Sequence, residues 1–221
     1  MTITTTPAAD VVEAAHTLAH LGLVDAFGHV SIRLSQRSAL ITPARDLATV
    51  AVTDLVELSL DEDTLPAGAP AEAHLHLAIY RARSDVGAIC RAQPRAGLSV
   101  SALTEELHPI HGQAAWLGTS VPVHPHPQLL RSATLGHAAA ATLGNQDALL
   151  LRGNGAVTTA DTPGVAVARM WILATTCDIW LQACVVAPPR RLEANEITAW
   201  RSTRSELLPR LWEHLRRRPA R

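Results

Sequence analysis

The chain has no lysine: all 19 of its basic residues are arginine. That absence excludes Schiff-base aldol chemistry, lysine-linked pyridoxal phosphate chemistry and a Walker-type phosphate loop, each of which needs a lysine amine. Aromatic residues are scarce too, at 3% of 221 residues, so a core must be built from Ala, Val, Leu and Ile. Neither sign of charge is in excess: 19 arginines face 20 acidic residues for a net charge of -1, so no basic field points to a nucleic-acid partner. There are three cysteines, Cys90, Cys177 and Cys184, with no zinc spacing and in a number that suits no disulfide framework. All three read as reduced core residues of a cytoplasmic protein. The N-terminal stretch lacks the basic and apolar regions of a signal peptide. The longest apolar segment, 165–187, is broken by Arg169, Asp178 and Gln182, so it reads as a buried helix and not as a membrane span.

What is present is a chain with 48% hydrophobic residues, enough for one sizeable domain. Thr6 and Pro7 open a helix that Gly22 ends. The segments 29–34, 39–42, 55–60, 86–90, 121–124 and 147–151 read as strands, with 156–159 extended. Helices are expected over 71–83, 95–103, 128–143, from Thr162 and Pro163 through the long apolar run, and from Glu193 to Arg216. The basic cluster of Arg216, Arg217, Arg218 and Arg221 reads as a solvated helix end. Strands interleaved with helices predict a mixed sheet covered on both faces. The expected organisation is one domain over residues 1–190, followed by a C-terminal helix and arginine-rich tail over 191–221.

Several polar constellations stand out. Glu72 and His76 are four apart on one helix face and can form an acid/base pair, or a plain surface pair near a helix start. His124 and His126 alternate between prolines, a pattern open to metal ligation or to simple exposure. His108 and His111 are equally ambiguous, and His16 and His20, on one helix face, read as structural or exposed. Gly28, His29 and Ser31 belong to a glycine turn entering a strand, which can offer backbone N–H groups to an anion. The sequence Arg152-Gly153-Asn154-Gly155 is a tight turn. Arg91 and Gln93 sit two apart where a core strand ends, so in extended chain they share a face.

Taken in order, the segments AFGHVSIRL, ITPARDL, AEAHLHLAIYRARSDVGAI, LHPIHGQAAWLGTSVPV and DALLLRGNGAVTTADTPGVAVARMWILA resemble the class II aldolase/adducin family. The resemblance implies a three-layer αβα fold with a mainly antiparallel sheet, assembled as a homotetramer with sites between subunits. It implies a divalent metal, normally zinc, manganese or iron, and a glutamate near the start of the second helix as acid/base or as an extra metal ligand. Glu72 stands at that position, with His76 and Tyr80 on the helix that follows. In the family the strand ends in H-x-H-P and a later turn holds a third histidine. Here Arg91, Gln93 and Asn154 stand at those places. A guanidinium has no lone pair for a metal, and carboxamide oxygens are weak ligands for zinc or iron. The expectation is therefore no bound cofactor or metal.

The family's phosphate-binding places hold Gly28-His29, Thr42-Pro43-Ala44 and Pro70-Ala71. The hydroxyl donors before Glu72 are missing, though Arg45 can compensate. This favours a small carboxylated substrate over a sugar phosphate. The expected enzyme is a metal-independent lyase of aldolase or decarboxylase type. In it Arg91 binds a carboxylate or enolate and Glu72 transfers the proton. Gln93, Asn154 and His111 orient the substrate, beside Gly28, His29, Ser31, Thr42 and Arg45. The competing expectation is an inactive, adducin-like structural or ligand-binding oligomer, in which Arg91 simply pairs with Glu72. A third is a relocated metal held by His74 or His76 with His124 or His126.

Overall fold

The computed structural model describes residues 6–218. Its elements follow the patterning closely. Helix α1 (Pro7–His20) opens with Pro7 in the first turn and the Thr6 hydroxyl accepting the Ala9 N–H. Strands β1 (His29–Arg33), β2 (Ser38–Ile41) and β3 (Val56–Ser59) form an antiparallel meander. Helix α2 (Ala73–Ala82) leads to β4 (Ala88–Ala92) and α3 (Arg95–Ser101). Then come β5 (Glu106–Leu107), β6 (Val121–His124), α4 (Ala133–Leu143), β7 (Ala148–Leu151) and β8 (Gly155–Ala160). The long α5 (Pro163–Val186) is followed by α6 (Ala194–Arg201) and α7 (Arg204–Leu215).

The strand order is β3-β2-β1-β4-β8-β7-β6-β5. Among the described pairs only β6 and β7 run parallel, so the sheet is mainly antiparallel, as expected. Each face carries its own core. Cys90, Ala92, Leu150 and Ala156 point toward α1, α3, α5 and α7, where Val11, Leu18, Val100, Val167, Ile172 and Leu215 are buried. Ile89, Leu149, Leu151 and Val157 point the other way, toward α2 and α4. Alternation along β4 and β7 thus divides one sheet between two apolar layers.

Four expectations need correction. Strand β4 starts and ends two residues later than read, so Arg91 lies inside it and pairs in register with His29 and Val157. Helix α4 starts at Ala133, not Gln128, because the Ser132 hydroxyl caps it. The C-terminal helix is two helices, parted at Ser202 and Thr203. Cys184 is exposed, while Cys90 and Cys177 are buried. Helix α5 is long and apolar enough to cross a membrane by composition alone, yet 12 of its residues, from Pro163 to Cys177, are buried inside this fold. Arg221 of the basic cluster lies outside the described residues.

The C-terminal helices dock through tryptophans onto glycines. A Cβ built on Gly112 would stand 1.9 Å from the Trp200 ring, and one on Gly164 would stand 2.3 Å from the Trp212 ring. Trp116 Nε1 donates to the Trp200 carbonyl at 2.9 Å.

Candidate active site

Where β1, β4 and β8 meet the start of α2, a cleft of about 510 Å³ opens. Its floor is Glu72, Arg91, Gln93 and Asn154, and Gly28, His29 and Arg45 also line it. Seven of the ten residues singled out from the sequence therefore converge.

Glu72 holds the N-cap position of α2, but its side chain makes no capping bond. The carboxylate is turned inward instead. Oε1 accepts from Asn154 Nδ2 at 2.8 Å and from the Leu130 N–H at 3.0 Å. Oε2 lies 2.9 Å from Arg91 Nη2. The same Nη2 donates to Asn154 Oδ1 at 2.7 Å and to the Asn154 carbonyl at 3.0 Å. The Nδ2 bond to Glu72 and the Arg91 bond to Oδ1 together fix the Asn154 amide, its NH₂ on the carboxylate and its oxygen on the guanidinium. Arg91 is 2% exposed and Glu72 11%. Burial lowers the Arg91 pKa from its usual value, and the Glu72 carboxylate opposes that shift. Among the described residues Nε and Nη1 of Arg91 are buried without a partner, so little of this guanidinium faces a ligand.

Behind the cleft, Ser31 Oγ bonds His76 Nδ1 at 2.7 Å and Tyr80 Oη at 2.8 Å. Burial, and then the Arg91 charge, push the His76 pKa down to about 3. The His29 ring lies 5.6 Å from that of His76, and burial, His76 and Arg91 hold its pKa well below the usual value. Both imidazoles are neutral at physiological pH.

Three expected residues lie elsewhere. Ser31 is buried in the His76 and Tyr80 network. The Thr42 hydroxyl accepts the Val30 N–H at 3.1 Å, tying β2 to β1. His111 bonds the Thr176 hydroxyl of α5 at 3.0 Å and does not line the cleft. Glu72 and His76 share a helix face but engage different partners, so they do not form an acid/base pair. His124 bonds Thr142 at 2.9 Å, and its ring lies 5.5 Å from that of His126. Among the described residues no three His, Cys, Asp or Glu side chains converge as a metal site would require. The cluster of Arg91, Gln93 and Asn154 does not suit a divalent cation either. A donor-only guanidinium already occupies the carboxylate, and the remaining donors are amides. Sequence reading missed Phe27, Leu129 and Arg131, which also line the cleft.

This sheet order, with helix layers on both faces and a carboxylate cleft at one sheet end, is an aldolase-type architecture. An L-fuculose 1-phosphate aldolase structure matches it with a TM-score of 0.82 at 20% identity, over 91% of this chain and 97% of the aldolase. The chain belongs to the family described as Class II Aldolase and Adducin N-terminal domain, whose profile matches residues 9–181. It is 31% identical over 186 residues to a 3,4-dihydroxyphthalate decarboxylase of Arthrobacter keyseri, covering 76% of this chain and 75% of that protein. A protein of the same name from Terrabacter sp. is 30% identical over 178 residues, covering 72% and 73%.

Proposed function

We propose that the chain is a carbon–carbon lyase of the decarboxylase type, acting on a small hydroxylated carboxylate with no metal at Arg91, Gln93 and Asn154. The observation that carries this reading is the Glu72 carboxylate at the cleft floor, aligned by Arg91, Asn154 and Leu130. The names of the two decarboxylase relatives support it, and so does the guanidinium of Arg45 in the cleft lining.

In this reading Arg45 holds the substrate carboxylate. Glu72 takes the proton of a hydroxyl conjugated with the carbon that bears the carboxylate, and returns it to that carbon. The bond to the carboxylate carbon then breaks and carbon dioxide leaves. Its electron pair flows to the oxygen that lost its proton. Water restores the hydroxyl, leaving hydroxide. Arg91 and Asn154 act as positioning residues: they hold Glu72 and offset its charge as the proton moves. A homotetramer of the family's kind is part of this proposal, and sedimentation of the purified chain tests it.

The test is carbon dioxide release from 3,4-dihydroxyphthalate and related hydroxy acids by purified, chelator-treated protein. Release by the wild type and its loss in Glu72→Gln support the proposal. One observation favours the adducin-like alternative: Arg91 and Glu72 already pair with each other, both largely buried. Release no greater than that of Glu72→Gln on every acid tried, with and without added divalent metal, would favour that alternative.

A further inference from the structure

The cleft mouth specifies more of the substrate than the reaction does. Leu129, Leu130 and Arg131 form a tight turn, with the Arg131 N–H donating to the Leu129 carbonyl at 2.8 Å. The middle residue, Leu130, is buried, and its own N–H is bonded to Glu72. The turn is thus anchored at its centre to the reacting carboxylate, and Leu129 and Arg131 on either side both line the cleft.

Charge separates Arg131 from its neighbours. Arg91 is paired with Glu72, and Arg45 with Asp54 at 2.9 Å. Among the described residues no carboxylate pairs with the Arg131 guanidinium. Three guanidinium groups therefore face two carboxylates, and the excess positive charge sits at Arg131. An isolated surface arginine would be solvated and unremarkable; this one is set on the wall of the Glu72 cleft by the turn whose Leu130 N–H bonds Glu72. The remaining walls include Phe27, 67% exposed, and Leu129, 50% exposed. An exposed aromatic ring and an exposed leucine on one cleft suit a flat apolar body.

We propose that Arg131 takes a second, non-reacting carboxylate of a planar dicarboxylate whose ring lies against Phe27 and Leu129. This rests on the decarboxylase reading for the reacting group, but its test does not depend on turnover. Calorimetric titration uses phthalate and benzoate, which both lack the hydroxyl the reaction needs. Phthalate is expected to bind about 10- to 100-fold more tightly than benzoate, the range of a charge-assisted hydrogen-bonded pair. Arg131→Gln is expected to erase that preference and leave benzoate affinity unchanged. Arg131 is exposed, so the variant folds, and circular dichroism checks it. Equal binding of the two acids by the wild type, no binding of either, or an undiminished preference in Arg131→Gln would overturn the role of Arg131. Carbon dioxide release from a hydroxylated acid would still stand in each of those cases. Conversely, failure of that release would leave the titration readable.

Discussion

Arg91 Nη2 and Glu72 Oε2 lie 2.9 Å apart, one inside a fully buried strand and the other on the cap of the second helix. Each is the other's charge partner, and Asn154 bonds both. Such a pair is costly to break from one side, because the survivor remains as an uncompensated charge.

Arg91→Met is therefore expected to destabilise the chain by about 3–5 kcal/mol. Arg91→Met with Glu72→Leu should recover part of that loss. Urea denaturation of the single and double variants measures both. A double variant less stable than Arg91→Met alone would contradict the pairing.

The buried imidazoles set the acid limit of stability. His76 titrates near 3 in the fold and near the usual 6.5 when unfolded, and His29 is shifted in the same direction. Both contributions are fully present above pH 6.5. As pH falls below that, the unfolded chain takes up protons that the fold refuses. Stability then drops by about 1.4 kcal/mol per pH unit for each group. For His76 the loss levels off near pH 3. Unfolding free energies between pH 7 and 4 should show this slope, reduced by one proton in His76→Asn.

Gly112→Ala and Gly164→Ala each push a methyl group into a tryptophan ring. Each should cost about 1–3 kcal/mol and loosen the C-terminal helices. Thermal melts and a red shift of tryptophan emission report it. None of Gly112, Gly164, Trp200 and Trp212 lines the cleft, so binding of small acids should persist in whatever fraction stays folded.

Dialysis against EDTA should leave carbon dioxide release unchanged, and metal analysis should find far less than one ion per chain. The triple variant Arg91→His, Gln93→His, Asn154→His removes the guanidinium and supplies three imidazoles beside Glu72, so it should acquire zinc. Loss of activity on chelation, restored by added metal, would refute the metal-free reading.

Much of this was legible from residue patterns. Thr6, Pro7, Thr162, Pro163 and Gly144 mark helix ends through local chemistry, and the apolar runs of β4 and β7 announce central strands. Arg91 misled the reading of β4. A charged residue reads as a strand end, and only the distant Glu72 and Asn154 make it tolerable inside one. Arg131 was hidden by a helical pattern over 128–143. Tertiary demand won there: the Leu130 N–H goes to Glu72, so the helix begins later. His111 looked like a cleft residue until α5 supplied Thr176 as its partner. Sequence shows which groups are polar, but their partners around Glu72 lie at positions 91, 130 and 154 and appear only on folding.

The bond from the Leu130 amide to Glu72 ties the rim of the cavity to the ionisation of one side chain. A carboxylate grips an amide firmly and a neutral carboxyl grips it weakly. Whatever protonates Glu72 therefore slackens the tether on residues 129–131. Amide exchange at Leu130 becomes a gauge of the charge at the centre, readable without any substrate present.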